Sequence, residues 1–504
     1  MSVLQGLIVA SVAVLISGAA AAQDVTVTTG TVINGVTVVN TRDGSLTPGV
    51  VVVVDNGKIV RIARAGSVQV DGTAQAIDAS GKFVVPGYLD MHAHVVDRAD
   101  MPVTPWPLLI ANGITGFRQM SGSPELLARG QRLRQEIVAG TVVAPEPLVL
   151  VGRLLDTASG GGRVGITTPA LAVKEVLDQK RAGTDFIKVI NVGRDVFLAT
   201  VEEARKQDLD VVGHLFPPVS GTDASNAGMR AYEHLGAILG NILFDCSTDE
   251  TAVRQGLIAQ AIARNQQPGP APIPEIIARV LTNPTITLRP SDVDLIQRAI
   301  DTYSEDRCRA LARLLAKNET WQVLTLIRLK TMLMADLPEF RDDPNLKYVA
   351  PAIRAIWREV QAIYDRTPAA AKATYEALYE HDLKMVGLFR QAGVKIVAGD
   401  DLGGGWIVAG FGLHQEFREL AKAGLSPLEV LQAATLNGAE FLRRTATMGT
   451  VEEGKNADLV LLDANPISAV ENLDRIWGVV LRGRYYSKSA LDKMKDDIEA
   501  AYKG

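Results

Sequence analysis

Eight short apolar runs, most of them separated by stretches of helical periodicity, constrain the fold of this 504-residue chain more than any other feature. The runs are KFVVPGYLDMHA (82–93), GITGFRQM (113–120), PLVLVG (147–152), DFIKVI (185–190), DVVGHL (210–215), RAYEHL (230–235), TWQVLTL (320–326) and VKIVAGD (394–400). Strands of a parallel sheet are apolar throughout when helices cover both of its faces. Eight such strands alternating with helices predict an α/β fold built on a (β/α)8 TIM barrel.

The two ends of the chain have a different pattern. Residues 25–85 consist of short β-branched runs punctuated by turns, and similar runs return in GTVEEGKNADLVLLDANP (449–466) and WGVVLRGRYY (477–486). This pattern is typical of a small all-β module. We predict a β-sandwich domain formed by residues 23–85 plus 447–487, a barrel over residues 86–446, and a C-terminal helix over residues 488–504.

Two segments of the predicted barrel, residues 245–316 and 327–390, are longer than the connections that a barrel needs. They carry apolar residues at helical spacing, as at Val253, Leu257 and Ile258. We interpret them as helical insertions above or beside the barrel, with ordinary barrel-helix surface as the alternative for any single helix. Their sequence does not distinguish a lid from a dimer surface, so a homo-oligomer stays open.

The N-terminus has the features of an export signal. Residues 6–18 form an apolar run, and the small residues 19–22 then offer a cleavage site just before Gln23. We therefore predict a signal peptide over residues 1–22, cleaved near Ala22, and a secreted or periplasmic protein. The run is shorter than the roughly 20 apolar residues of a membrane span, so we expect no membrane contact beyond this peptide. Because no Lys or Arg precedes the run, an uncleaved anchor is the alternative.

Charge and cysteine content restrict the partners and the chemistry. With 52 Lys and Arg against 57 Asp and Glu, the chain has a net charge of −5, which provides no basic stripe for nucleic acid. We expect a small-molecule partner. The two cysteines, Cys246 and Cys308, are too few for a cysteine-rich zinc module, and their spacing does not demand a disulfide. A metal site must therefore use carboxylates and the six histidines.

Four of the six histidines fall at the ends of predicted strands. His92 and His94 are two residues apart in a strand, so both imidazoles lie on the same side of the chain. His214 and His234 end the runs DVVGHL and RAYEHL, where barrel strands deliver residues to the catalytic face. Because imidazole is the usual nitrogen ligand of zinc, this placement indicates a metal site.

The remaining two histidines, His381 and His414, lie in helical stretches. We interpret them as solvated or core-satisfied imidazoles and leave them out of the metal site.

Two of the runs add ionisable residues. Lys188 lies inside an apolar strand, where a lone ammonium is costly, so it must be paired with Asp185 or another carboxylate, or be chemically altered. Asp400 and Asp401 follow the last strand, and either could act as a ligand or a base. The three glycines at 403–405 lack the spacing of a phosphate-binding loop.

The chain resembles the metal-dependent amidohydrolase superfamily, in the branch that includes imidazolonepropionase-like enzymes and Xaa-Pro or Xaa-Arg dipeptidases. The resemblance spans nearly the whole mature chain. It rests on the motifs VVPGYLDMHAHV, GTDFIKVI, VVGHL, RAYEHLG, GVKIVAGDD, LSPLEVLQAATLNGAEFL and GTVEEGKNADLVLLDANP.

This resemblance implies a site with two divalent metal ions, usually Zn²⁺. By motif position, one ion would be held by His92 and His94 and the other by His214 and His234. A carboxylated Lys188 would bridge the two ions. The family pattern ends Gly-Thr-Asp, which aligns Asp401 with the catalytic aspartate and metal ligand. A metal-bridging hydroxide would then attack the amide carbonyl, with Asp401 as the general base.

Two departures from the family pattern concern substrate selection. SGGGRVG places Arg163 where many relatives carry a histidine, and GITGFRQMSG carries Gln119 where relatives often have an aspartate. Arg163, or Arg153 in GRLLD, would pair with a substrate carboxylate, the alternative being a surface arginine.

The function that the resemblance implies is cleavage of a C–N bond in a dipeptide, an N-acyl amino acid or a related small amide by an exported enzyme. The same site would also serve hydrolysis of a lactone or an organophosphate ester. A non-catalytic binding protein is the remaining alternative.

Overall fold

The structure, a computed structural model, describes residues 25–98, 101, 103–266 and 274–503. The predicted signal peptide, residues 1–22, lies outside the described residues. Within the described ranges, no helix combines the length and the apolar character that a membrane span requires.

The described residues form strands in both the barrel and the terminal segments. They are β1 (Val25–Val27), β2 (Thr31–Val39), β3 (Leu46–Asp55), β4 (Lys58–Arg64), β5 (Val68–Val70), β6 (Gln75–Asp78), β7 (Phe83–Pro86), β8 (Tyr88–Ala93), β9 (Ile114–Gln119), β10 (Glu146–Val149), β11 (Leu154–Asp156), β12 (Arg163–Gly165), β13 (Phe186–Asn191), β14 (Asp210–Gly213), β15 (Ala231–Glu233), β16 (Trp321–Val323), β17 (Ile396–Val397), β18 (Leu459–Leu462), β19 (Ile476–Leu481) and β20 (Arg484–Ser487).

Eight of these strands follow one another in a closed ring of parallel pairs. β8 pairs with β9, and β9 pairs with β10. The segment after β10 bridges to β13 through Val151 and Phe186, and β13 to β17 then pair in chain order. The ring closes where the Asp401 N–H donates to the carbonyl of His92 at 2.8 Å. The fold is therefore an α/β, TIM-barrel-like arrangement, and each of its ring strands overlaps one of the eight predicted runs.

The other large sheet combines strands from both ends of the chain. Its order is β20-β19-β18-β7-β2-β3-β4, with β6 paired to β2. The join between the two ends is the antiparallel pair of β7 and β18. One face of the sheet is apolar and buried, as at Ile33, Val52, Val84 and Leu461. β7 is the first part of the run KFVVPGYLDMHA, so that run supplies one strand to each sheet.

The helices of the described residues lie between the ring strands, between β17 and β18, and after β20. They are α1 (Trp106–Ala111), α2 (Pro124–Val138), α3 (Pro169–Ala182), α4 (Arg194–Lys206), α5 (Gly221–Ala227), α6 (Leu243–Cys246), α7 (Glu250–Gln266), α8 (Pro274–Thr282), α9 (Pro290–Asp301), α10 (Glu305–Lys317), α11 (Leu326–Leu333), α12 (Pro338–Arg341), α13 (Pro351–Tyr364), α14 (Ala369–Ala392), α15 (Phe411–Lys422), α16 (Pro427–Ala434), α17 (Leu436–Phe441) and α18 (Lys488–Lys503).

Helices α6 to α10 lie between β15 and β16, and α11 to α14 lie between β16 and β17. A disulfide joins Cys246 at the end of α6 to Cys308 in α10, with the two Cα atoms 4.8 Å apart. It closes a loop of 62 residues within the first insertion. Both cysteines are fully buried. The disulfide answers the question of pairing that the sequence left open.

Candidate metal centre

A cavity of about 480 Å³ lies at the C-terminal ends of the ring strands. We call it the histidine cavity. The structure brings into it all six residues proposed as metal ligands, namely His92, His94, Lys188, His214, His234 and Asp401. They come from β8, β13 and the segments that follow β8, β14, β15 and β17. The C-terminal ends of parallel strands meet on one face of a barrel, which is why residues far apart in sequence converge here.

The tightest cluster consists of His92, His94 and Asp401. The Asp401 Oδ1 atom lies 2.9 Å from Nε2 of His94 and 3.3 Å from Nε2 of His92. One ligand atom from each residue lies within 4.8 Å of the others. The buried Nε2 of His92 has no hydrogen-bond partner among the described residues. A buried polar atom without a partner is costly, so this nitrogen fits coordination of a metal ion.

His214 and His234 lie beside this cluster. The His234 ring centroid is 4.5 Å from that of His92 and 5.2 Å from that of His214. Burial, followed by the nearby Lys188, lowers the pKa of His214 to about 3, and burial lowers the pKa of His234 well below its usual value. Both imidazoles are therefore neutral at pH 7, which is the form that binds a metal.

Lys188 enters the histidine cavity from β13 and is 3% exposed. Its Nζ donates a hydrogen bond to the carbonyl of Met120 at 3.0 Å. Asp185 binds elsewhere, because it accepts from Arg134 at 2.8 Å and from the N–H of Leu150 at 2.8 Å. The pairing of Lys188 with Asp185 is therefore wrong. Burial lowers the pKa of Lys188 to about 8, so part of the amine is uncharged near neutral pH.

The two adjacent acids after β17 have different surroundings. Asp401 has a positive φ of 58°, and its carboxylate reaches the histidines. Asp400 is fully buried and accepts a hydrogen bond from the N–H of Leu402 at 2.7 Å. Burial and the adjacent carboxyl of Asp90 raise the pKa of Asp400 well above its usual value. Asp401 is therefore the acid that the cavity exposes, and Asp400 is a neutral core residue.

Sequence reasoning missed a buried pair behind His92. Glu233 Oε2 accepts a hydrogen bond from Nδ1 of His92 at 2.7 Å, and both Glu233 oxygens lie 2.8 Å from Nη2 of Arg118. Glu233 is 0% and Arg118 is 1% exposed. A carboxylate that holds the Nδ1 proton directs Nε2 toward the cavity. The signal was present, because a charge inside an apolar run singles out these two residues as it singled out Lys188.

Arg328 was also missed. It lies in the first turn of α11, and its side chain is 5% exposed. Its Nε is 3.2 Å from Asp401 Oδ2. No sequence pattern distinguishes it from an ordinary helical arginine.

The two arginines proposed for substrate binding are placed differently. Arg163 lines the histidine cavity and its Nη1 donates to Asp156 Oδ2 at 3.0 Å. Arg153 is not among the described residues that line the cavity, and its Nε donates to Glu175 Oε1 at 3.0 Å.

Gln119 forms hydrogen bonds to the segment that follows β8. Its Oε1 accepts from the N–H groups of Val95 and Val96 at 3.0 and 2.9 Å, and its Nε2 donates to Asp97 Oδ1 at 2.6 Å. It therefore fixes the segment that follows His92 and His94.

His381 and His414 are both absent from the described cavity lining. His414 is buried and lies with Nε2 3.0 Å from the carbonyl of Asn112, while Nδ1 of His381 is 2.8 Å from the carbonyl of Ala377. Each ring thus contacts a backbone carbonyl, although the buried Nδ1 of His414 has no hydrogen-bond partner among the described residues.

Apolar side chains form much of the remaining wall of the histidine cavity. They are Leu154, Ile190, Ile238, Leu239, Val280, Leu281, Leu288 and Met332. A concave, mostly apolar cavity of several hundred Å³ with a few convergent polar groups is typical of small-molecule sites.

Part of the chain matches a known protein family. Residues 380–485 match the model of the Amidohydrolase family. An imidazolonepropionase of Treponema denticola is 39% identical over 62 residues, a match that spans 11% of this chain and only 15% of that protein. The predicted resemblance to amidohydrolases is confirmed.

Solved structures of other proteins share the fold, as two examples illustrate. A bottromycin amidohydrolase matches with a TM-score of 0.68 and 22% identity, over 94% of this chain and 90% of its own. A Xaa-Pro dipeptidase with bound methionine in the active site matches with a TM-score of 0.57 and 17% identity, over 91% of this chain and 100% of its own. At these identities the likeness establishes the fold alone.

Proposed function

The chain carries an amidohydrolase family domain over residues 380–485, and from this premise we propose that it is an exported, metal-dependent hydrolase of C–N bonds. The observation that carries the proposal is the convergence of His92, His94 and Asp401 in the histidine cavity, where the buried Nε2 of His92 makes no hydrogen bond among the described residues. Amidohydrolases generally use divalent metals, and this donor set suits one.

The proposed cofactor is a pair of divalent ions, zinc in our proposal. His92 and His94 would hold one ion and His214 and His234 the other, with Lys188 as a carboxylated bridging ligand and Asp401 as a further ligand. When bound, such ions lower the pKa of water and polarise a carbonyl group. The burial that lowers the pKa of Lys188 to about 8 supports the carbamate, because an uncharged amine can react with CO2.

Asp401 is the proposed general base. Its Oδ1 is directed to the histidines while its Oδ2 contacts Arg328. In this role Oδ1 takes a proton from the attacking water and passes it to the leaving nitrogen. The products are a carboxylate and an amine.

The proposed substrate is a dipeptide, an N-acyl amino acid or a related small amide. Arg163 would bind its carboxylate, since Asp156 occupies only the Nη1 side of the guanidinium and the side chain is 42% exposed. Loss of a charge-assisted hydrogen bond costs about 1.5–3 kcal/mol. Arg163→Ala should therefore raise KM for a carboxylate substrate at least about tenfold, with little change for the matching carboxamide. Equal KM values for variant and wild type would remove Arg163 from the proposal. Arg153, paired with Glu175 away from the cavity lining, stays a sequence prediction.

The proposed architecture is a (β/α)8 barrel over residues 86–446 joined to a β-sandwich domain of residues 23–85 and 447–487. The closed ring of parallel strands and the sheet shared by both chain ends support it. The proposed location is outside the cytoplasm, with residues 1–22 as the signal peptide. The Cys246–Cys308 disulfide supports this location, because such bonds persist in oxidising compartments.

Metal analysis combined with a substrate panel tests the proposal. Protein from metal-replete expression should contain about two divalent ions per chain and should hydrolyse amides in preference to lactones and organophosphates. Preference for a lactone or organophosphate would reassign the reaction. A metal-free protein that turns over nothing would indicate a binding protein.

A further inference from the structure

Arg328 connects the Asp401 carboxylate to two carbonyls at the end of one helix. Its Nε is 3.2 Å from Asp401 Oδ2, its Nη1 donates to the carbonyl of Thr282 at 2.8 Å, and its Nη2 donates to the carbonyl of Leu281 at 2.7 Å. Each nitrogen of the guanidinium therefore contacts an oxygen atom. A planar fork of this kind fixes its acceptors in one geometry, which the single ammonium of a lysine cannot do.

The two carbonyls belong to the last turn of α8 (Pro274–Thr282). Carbonyls at the C-terminus of a helix have no partner within the helix and carry partial negative charge. Arg328 satisfies two of them, so it caps α8 while it holds the carboxylate of Asp401. The end of α8 and the proposed base are thus joined through one side chain.

The glycines after Asp401 make this contact possible. A Cβ at Gly404 would lie 2.5 Å from Arg328 Nε and 2.6 Å from its Cζ, and a Cβ at Gly405 would lie 2.8 Å from the carbonyl oxygen of Thr282. The N–H of Gly405 donates to that same oxygen at 3.1 Å. Because Gly404 and Gly405 have no side chain, the Arg328 guanidinium and the end of α8 can pack directly against this backbone.

We propose that Arg328 is a positioning residue that couples the apolar wall of the histidine cavity to the Asp401 carboxylate. The inference rests on the proposed function, because it takes Asp401 as the base. Arg328 holds Oδ2 and leaves Oδ1 directed to the histidines.

The coupling makes turnover depend on the apolar part of the substrate. Val280 and Leu281 line the histidine cavity, and the Leu281 carbonyl accepts from Arg328. A substrate group that packs on these side chains contacts the same helical turn that orients Arg328. Binding energy from a remote apolar group is then expressed in kcat rather than in KM alone. The preferred substrates are amides that carry a bulky apolar group.

Arg328→Met, Arg328→Lys and Gly404→Ala test the coupling by steady-state kinetics. Misplacement of a catalytic group by about 1 Å costs about 100-fold in rate, so we expect Arg328→Met to lower kcat by about that factor with KM nearly unchanged. Arg328→Lys should recover part of the loss. Gly404→Ala should also lower kcat, and the double variant Arg328→Met/Gly404→Ala should be no slower than Arg328→Met, because both changes break one contact.

Hydrogen exchange on the metal-free protein supplies a readout that does not depend on catalysis. Arg328→Met should raise exchange both in peptides from residues 274–283 and in those from residues 399–405. The matched control is Arg279→Met, which removes the ion pair of α8 with Glu359 at 2.9 Å and leaves Asp401 untouched. This control should keep wild-type kcat and should leave exchange over residues 399–405 unchanged.

Three results would overturn the coupling. They are wild-type kcat in Arg328→Met, multiplicative losses in the double variant, and increased exchange confined to one of the two segments. If wild-type protein cleaves no amide, the proposed function fails, whereas the exchange data still decide whether Arg328 links α8 to Asp401.

Discussion

The buried pair of Glu233 and Arg118 offers the sharpest test of how the site is built. Glu233→Gln keeps the size of the side chain and removes its charge. Arg118 is then left 1% exposed without a carboxylate. The glutamine amide can also donate to Nδ1 of His92, which would place the ring proton on Nε2, the atom directed to the proposed metal site.

We expect Glu233→Gln to lower both the free energy of unfolding and the affinity for a metal ion. Breaking a buried ion pair by altering one partner costs about 3–5 kcal/mol. Because glutamine retains one hydrogen-bond acceptor, we expect a loss of about 3 kcal/mol in the free energy of unfolding. Loss of the group that orients a metal-binding histidine typically costs about 10–100-fold in metal affinity. Both effects should appear together in Glu233→Gln.

Urea denaturation of the metal-free protein measures the first effect, and zinc competition against a chelator measures the second. Glu175→Gln is the matched control. Glu175 is also buried and also pairs with an arginine, Arg153, but outside the described cavity lining. It should lose stability and keep wild-type zinc affinity. Unchanged zinc affinity in Glu233→Gln would refute the proposed role of Glu233.

Three further variants test other parts of the structure. Asp401→Asn should keep its metal and lose about 100-fold or more in kcat, and full activity would disprove its role as base. Cys246→Ser opens the 62-residue loop closed with Cys308 and should lower the free energy of unfolding by about 4 kcal/mol, which thermal denaturation would measure. Burial raises the pKa of Asp382, whose Oδ1 accepts from Asn241 Nδ2 at 3.0 Å, to about 8. Because this folded pKa exceeds the unfolded value near 4, the stabilising contribution of Asp382 is complete below about pH 4 and is lost as the pH rises toward 8. Wild type should therefore lose stability relative to Asp382→Asn between pH 5 and 8, and parallel profiles would contradict the assignment.

The ring strands could be predicted because each is a continuous apolar run with a buried environment on both faces. β8 and β9 are buried at every position. His92, His94 and Lys188 could be identified by the same reasoning, since a polar side chain inside or at the end of an apolar strand needs a partner such as a metal ion or a carboxylate.

The residues that support the site were harder to predict. Arg328 belongs to a helix whose sequence is ordinary, and its role depends on the carbonyls of Leu281 and Thr282 in a distant insertion. The choice between Asp400 and Asp401 depends on a backbone φ of 58° that turns one carboxylate to the cavity. Neither long-range packing nor a single dihedral angle is encoded in local periodicity.

The sheet shared by the two chain ends has a consequence for the order of folding. Lys82 and Asp463 form an ion pair beside the β7–β18 join and are 381 positions apart in the chain. Contacts of such long sequence separation form slowly, because a large loop must close before they stabilise anything. During synthesis, β7 emerges long before β18 and keeps an unpaired edge, which is a template for wrong pairing. Completion of this sheet therefore waits for the last tenth of the chain, and C-terminal truncations before residue 459 should expose that edge and aggregate.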